Sequence, residues 1–179
     1  NTFQIAHIDK WQYGIKDILL DPESNLLYAG AKYDNLISIL NQSNNEIVAN
    51  ITAESPIAIS LDNENKILYE AGSDGKVNVL NLPNGKNTSS IEGQFVKNIL
   101  YNPKDKLLYL IDQNMTNILS KNSNATKSIA IGVNMTNNIL NKFETDFIVD
   151  NIVVNPSTDQ AYLLGYDGKN SKLFILNVH

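Results

Sequence analysis

Four dipeptides occupy one repeated place in this chain and differ in their chemistry: Lys16-Asp17, Ile57-Ala58, Lys97-Asn98 and Asp150-Asn151. Each stands five and four residues ahead of an Asp or Asn, namely Asp21, Asp62, Asn102 and Asn155. Three of the four are polar. Ammonium, carboxylate and amide groups converging on one spot can hydrogen-bond a ligand. The oxygens of Asp17, Asn98, Asp150 and Asn151 could equally hold a hard cation such as Ca²⁺. The turn-like runs "KYDN", "GSDG" and "GYDGKNS" place Tyr33, Asp34, Asp74, Tyr166 and Asp167 where they are expected to rim the same face.

Other chemistries find little material. The chain has no Cys, so thiolate catalysis, disulfides and Cys-ligated metals are absent. Its two His are His7, expected to be structural, and His179, the last residue. No HExxH, GxSxG, phosphate-loop or dinucleotide fingerprint occurs. The Asp-Gly pairs at Asp74 and Asp167 are too short for an EF-hand loop and read as hairpin turns. No catalytic residue and no resident metal is therefore assigned, with Ca²⁺ the one cofactor the oxygen donors would admit.

Composition narrows the partners. Net charge is -5 and every basic side chain is Lys, so the basic patch of a nucleic-acid binder is missing. No apolar run nears the 18 or so residues that span a membrane. No signal-peptide pattern is present, and a processed chain would have lost one. Asn-x-Ser/Thr occurs at Asn41, Asn50, Asn87, Asn114, Asn124 and Asn134. All six fall in expected loops, at strand ends or on outer strands, where a glycan fits. An extracellular or cell-surface location, with a protein or glycan partner, is the expectation.

The elements that must position these residues come from a repeat. "ILLDPESNLLY" from Ile18, "ISLDNENKILY" from Ile59, "ILYNPKDKLLY" from Ile99 and "IVVNPSTDQAY" from Ile152 share one frame. In each, the turn residue and the Tyr are seven apart, and successive copies are offset by 41, 40 and 53 residues. The frame reads as strand, turn, strand: an apolar run, an Asp or Asn that bonds its own backbone, a Pro that presets φ (Asn63 in the second copy), then a β-prone run. Third strands are expected at Leu36, Lys76, Thr116 and Lys172, and outer strands at Glu46, Asn87 and Lys127. The segment 2–8, "TFQIAHI", is expected to be the missing outer strand of the last repeat. The extra stretch from Val133 spaces Met135, Ile139 and Phe143 by four, which suggests a short amphipathic helix or a packed loop.

Four-stranded units of about 40 residues around an axis define a β-propeller. The reading is an all-β, single-domain protein over residues 1–179. Its blades are approximately 13–55, 56–94, 95–146 and 147–179, with strand 2–8 closing the last. The same frame would arise in a piece cut from a larger propeller.

The repeat resembles the YVTN β-propeller family, most closely in "IVVNPSTDQAYLL" at Ile152 and "ILYNPKDKLLYLID" at Ile99. The resemblance covers nearly the whole chain but departs after the Tyr, where "LYAG", "LYEAG", "LYLID" and "AYLLG" replace the family's eponymous run. It implies surface proteins of archaea and bacteria, and a likeness to the propellers of dehydrogenases and lactonases. Two functional classes follow. One is a non-catalytic binding or scaffold module using one propeller face; the other is a lactonase-like or lyase-like enzyme with a metal at the channel mouth.

Overall fold

The computed structural model describes residues 14–91, 95–113, 128–133, 139–145, 147–155, 157–158 and 160–177, with backbone alone for 113, 128–131 and 139–144. Among the described residues, fifteen strands form four antiparallel sheets. Sheet 1 holds β1 (Ile15–Asp21), β2 (Leu26–Ala31), β3 (Leu36–Asn41) and β4 (Ile47–Thr52). Sheet 2 holds β5 (Pro56–Asp62), β6 (Ile67–Gly72), β7 (Val77–Asn81) and β8 (Lys86–Ile91). Sheet 3 holds β9 (Val96–Asn102), β10 (Leu107–Gln113), β11 (Ser128–Val133) and β12 (Ile139–Glu144). Sheet 4 holds β13 (Ile148–Asn155), β14 (Gln160–Tyr166) and β15 (Ser171–Asn177). Within every sheet the strands pair in chain order.

The repeated turn works as its residues dictate. Asp21 Oδ1 accepts the amides of Glu23 and Ser24, and Asp62 Oδ1 accepts that of Asn65. Asn102 and Asn155 accept from Lys104 and Ser157 in the same way. Four residues after the Asp or Asn, Asn25, Lys66 and Lys106 take φ of 55°, 54° and 59°, the left-handed bend that sends the chain back. The Asp-Gly hairpins place Gly75 and Gly168 at φ 89° and 93°, values open to glycine without steric cost.

Alternation then builds the core between sheets. Ile59, Leu68 and Leu80 of sheet 2 meet Tyr28, Ile37, Ile39 and Ile51 of sheet 1. The opposite face of sheet 2, with Tyr69, Val77 and Val79, meets Val96, Ile99, Tyr101 and Leu108 of sheet 3. Tyr69 and Tyr101 stack across that seam with ring centroids 5.6 Å apart. Leu107, Tyr109 and Ile111 pack on Phe147, Val149, Ile152 and Leu163 of sheet 4. The repeated Tyr is thus a packing residue: Tyr28, Tyr69 and Tyr109 are buried. Burial pushes the Tyr69 phenol up to about 12, with the Asp62 charge adding to the shift.

Neighbouring sheets also meet through their first strands, β1 on β5, β5 on β9 and β9 on β13. Among the described residues no comparable contact joins β13 back to β1. The outward faces of the end sheets stay apolar and exposed: Ile18 and Leu20 are 62% and 60% exposed, Leu173 and Ile175 63% and 53%.

Two sequence expectations are corrected in sheet 3. The expected helix or packed loop around Ile139 and Phe143 is strand β12, which pairs β11 from Ile129↔Glu144 to Val133↔Ile139. A spacing of four is even, so β alternation accommodates it as readily as a helix does, and the open edge of β11 supplies backbone partners. The run at Lys127, expected as the outer strand, is instead the third strand, paired to β10. The segment at Thr116 expected in that role, and the closing strand 2–8 with His7, lie outside the described residues.

Because Leu68 is fully buried between sheets 1 and 2 while Ile18 faces outward, Leu68→Ala should cost about 2–5 kcal/mol and Ile18→Ala under about 1 kcal/mol in urea unfolding. Equal losses would contradict this packing.

Candidate functional site

All four first strands carry a β-bulge, and all four bulges fall on the dipeptides singled out by sequence. In sheet 1, Ile15 pairs Ala31 and Asp17 pairs Gly30, leaving Lys16 extra. Ile57 is the extra residue between Pro56↔Gly72 and Ala58↔Ala71. Lys97 is extra between Val96↔Asp112 and Asn98↔Ile111, and Asp150 between Val149↔Gly165 and Asn151↔Leu164. A bulge bends its strand and re-aims side chains. Here it turns Lys16, Lys97 and Asp150 out to solvent at one end of each sheet.

Three of the residues after the bulges, Asp17, Asn98 and Asn151, stitch sheets together. Asp17 Oδ1 accepts the amide of Ile18 at 2.9 Å, and its Oδ2 reaches sheet 2 to accept the amide of Ile59 at 2.8 Å. Burial raises the Asp17 carboxyl above its ordinary value, and those two amide bonds oppose the shift. Asn98 Nδ2 donates to Asn151 Oδ1 at 3.0 Å, and the same oxygen accepts the amide of Ile152 at 2.8 Å. Lys97 Nζ and Asp150 Oδ1 form an ion pair of 2.8 Å with both side chains about half exposed. Such a pair adds only about 0–1 kcal/mol, so it is better suited to meeting a ligand than to holding the fold.

The predicted set therefore falls into two groups. Lys97, Asn98, Asp150 and Asn151 are brought together between sheets 3 and 4. Lys16, Asp17 and Tyr33 lie on sheet 1, and Asp17 is tied to sheet 2 rather than to Asp150. Tyr33 is exposed, with Lys32 Nζ 5.5 Å from its ring centroid. Asp74 is exposed, and its Oδ1 accepts the amide of Lys76 at 3.1 Å. Tyr166 is exposed at the end of β14. Next to it, Asp167 accepts the amides of Lys169 and Asn170 at 2.9 Å and 2.8 Å and pairs with Lys172 at 3.0 Å.

A cleft of about 240 Å³ opens at this same end, lined by Lys32, Ile57, Gly72, Phe95, Val96 and Lys97 together with Ser73 and Gly75. Phe95 is 47% exposed, and its amide is fixed by Asp112 Oδ1 at 2.7 Å. Lys32 and Phe95 carry little signal in the sequence, each being a polar or aromatic residue one place outside a strand end. Among the described residues no three or more His, Cys, Asp or Glu side chains gather as metal ligands. No helix there is long and apolar enough to cross a membrane.

Of the sequons, Asn50 and Asn87 are exposed on the outer strands β4 and β8, and Asn41 is half-buried at the end of β3. Asn50 accepts from Ser38 Oγ, and Asn87 Nδ2 donates to Asn78 Oδ1. Asn114, Asn124 and Asn134 lie outside the described residues.

The molecule is thus an all-β protein of four blade-like antiparallel sheets with a polar, bulge-shaped end. No family model matches the chain, and no curated protein matches it. Solved structures do. The hydrazine synthase of Kuenenia stuttgartiensis superimposes with a TM-score of 0.75 at 12% identity, over 99% of this chain and 49% of that one. Sqt1 of Saccharomyces cerevisiae gives 0.63 at 14% identity, over 89% and 44%. The chain spans just under half the length of these structures. At such identities the likeness is one of fold alone.

Asp167 offers a pH test of this end. Its three donors hold the carboxyl at about 2, the Asn170 amide contributing most, then the Lys169 amide and Lys172. Its folded value lies below the ordinary 3.8, so its contribution to stability is present above that value and lost as pH falls toward 2. NMR titration of the Asp167 carboxyl should give a midpoint near 2, and the Lys169 and Asn170 amides should move with it. A midpoint at 3.8 would show that the cap is not formed.

Proposed function

We propose that the four sheets are β-propeller blades of a non-catalytic extracellular or cell-surface binding or scaffold module, which engages a protein or glycan partner through the bulged end. One observation carries this reading: the same bulge recurs in all four first strands, but presents Lys, Ile, Lys and Asp. A repeat that keeps a backbone feature while varying the side chain it displays is suited to recognition. The adjoining cleft adds an exposed Phe95 and Lys97, and Tyr33 and Tyr166 stand exposed at the same end. Aromatic faces with polar groups between them suit both glycans and protein anchors.

A second reading concerns completeness. The exposed apolar outer faces of sheets 1 and 4 favour an arc of four blades within a larger ring. The 49% and 44% coverage of the similar structures agrees with it. The lactonase-like alternative has less support, because Asp17 is tied to Ile59, away from Asn98, Asp150 and Asn151, and Asp150 already pairs with Lys97.

The test is cross-linking on intact source cells, with partners quantified for the native protein and for Phe95→Ala/Lys97→Glu. Partner recovery should fall about tenfold or more in that variant and stay unchanged in Lys106→Ala, at the opposite end of sheet 3. Equal loss in both, or in neither, would count against a binding face at the bulges. Intact mass of the native protein tests its location separately: heterogeneous added mass removed by glycosidase is expected on exposed Asn50 and Asn87, and an unmodified mass would contradict the glycoprotein reading.

A further inference from the structure

Strand β6 ends in Glu70-Ala71-Gly72, followed by Ser73-Asp74 in the hairpin. The alternation Glu-x-Gly-x-Asp places two carboxylates around a residue with no side chain. A Cβ built on Gly72 would stand 2.7 Å from Asp74 Oδ1, 2.7 Å from the Glu54 carbonyl oxygen and 3.3 Å from Glu70 Oε1. Three oxygens from three residues therefore surround one small notch. Glu70 is fully buried, and its Oε1 has no hydrogen-bond partner, while Oε2 accepts from Asn78 Nδ2 at 2.7 Å.

The other sheets show that this is not a feature of the repeat. At the place of Glu70 they carry Ala29, Leu110 and Leu163, all buried. At the place of Gly72, opposite the residue before each bulge, they carry Ala31, Asp112 and Gly165. The space beside Gly165 is already filled by the Ile148 carbonyl and the Phe147 ring. Sheet 2 alone, among the described residues, leaves a notch lined by oxygens.

Its geometry is held from outside. Ser55, at φ 54°, turns the chain directly after Glu54. Ser55 Oγ donates to Asn35 Oδ1 at 2.8 Å, and the Ser55 carbonyl accepts the Ser73 amide at 3.1 Å. The Ala53 amide donates to the Asn35 carbonyl at 3.0 Å, so Glu54 is pinned on both sides. Asp74 is oriented by the Lys76 amide and is open to solvent, and Gly72 borders the 240 Å³ cleft, which gives a hydrated ion a way in. Three acceptors facing one another with a buried, partnerless oxygen are costly unless something positive lies between them.

We propose that the Gly72 notch is a binding site for a hard divalent cation of the Ca²⁺ class, ligated by Glu70 Oε1, Asp74 Oδ1 and the Glu54 carbonyl oxygen, with water completing the shell. Ca²⁺ accepts mixed carboxylate and carbonyl oxygens in flexible geometry, whereas Mg²⁺ demands a near-ideal octahedron and gives up water reluctantly. The third oxygen is a main-chain carbonyl, so the set has only two acidic side chains. With only three protein oxygens, affinity belongs in the range of about 0.1–1 mM typical of extracellular sites. Burial, opposed by the Asn78 bond and aided by the Asp74 and Glu54 charges, pushes the Glu70 carboxyl up to about 7. That shift measures how poorly an isolated negative charge is tolerated there. The site stands whether or not the bulged end binds a partner.

The test uses the full chain, stripped with chelator, at pH 8 and constant ionic strength. Calorimetric titration with CaCl₂ should give one site of about 0.1–1 mM, with MgCl₂ at least tenfold weaker. At tenfold over Kd, Ca²⁺ should raise Tm by roughly 3–6 °C. Glu70→Gln, which keeps the shape, and Gly72→Ala, which fills the notch, should each abolish the Ca²⁺ response, while Asp150→Ala keeps it. If Ca²⁺ neither binds the native chain nor raises its Tm beyond Mg²⁺, the proposal is overturned, and a rise in Tm from Glu70→Gln alone would then assign Glu70 a proton instead. Unchanged Ca²⁺ affinity in a folded Glu70→Gln protein would overturn it equally.

Discussion

The first-strand edge of each sheet poses the problem that the rest of this structure answers. A first strand has a ladder partner on one side only, so part of its backbone must find partners elsewhere while packed against the next sheet. Side chains from neighbouring sheets supply them. Asp17 of sheet 1 takes the Ile59 amide, and Ser60 of sheet 2 takes the Tyr101 amide at 2.8 Å. Between sheets 3 and 4 the Asn98–Asn151 bond makes a side-chain link instead. These bonds set the height of each sheet against the next, and the apolar seams can close only at that height. A misplacement by one residue would turn each strand's apolar face away from its seam.

The same constraint shapes the bulged end. The bulge that lets Asp17 or Asn151 turn back onto the backbone also leaves one unpaired residue directed outward. Stitching and display are thus adjacent residues of one dipeptide, with different tolerances. Asp17 and Asn151 are held by bonds to neighbouring amides and Asn98 by its bond to Asn151, while Lys16, Ile57, Lys97 and Asp150 differ in charge and polarity. The cleft beside Phe95 and the oxygen-lined notch beside Gly72 both arise where sheet 2 departs from its neighbours, through Ile57 in place of a polar residue and Glu70 in place of an apolar one.

Much of the framework was legible in the residues. The frame from the turn Asp or Asn to the Tyr located the first two strands of every sheet, because an Asx turn and a buried aromatic are local events. The dipeptides ahead of it were legible as a shared position but not as bulges, since a bulge exists only in the pairing of two strands. Sheet 3 resisted for a related reason. The run at Lys127 and the segment around Ile139 are both compatible with several roles, and the one each takes depends on which strand edge lies open beside it. Glu70 was invisible as a site, because a Glu inside a strand reads as a solvent-facing residue until the sheet packed over it is known.

By itself, then, the sequence determined the β-class, the repeat, the turns and the places where the copies differ, all of which follow from spacing and local hydrogen bonding. Tertiary structure decided what those differences mean. It joined Lys97 to Asp150, 53 residues apart, tied Asp17 to Ile59 rather than to Asp150, and brought the Glu54 carbonyl to Glu70 and Asp74. Each of these depends on which sheet faces which, and that is set by packing and by the first-strand amides that bond across to a neighbouring sheet, neither of which any short stretch of sequence contains.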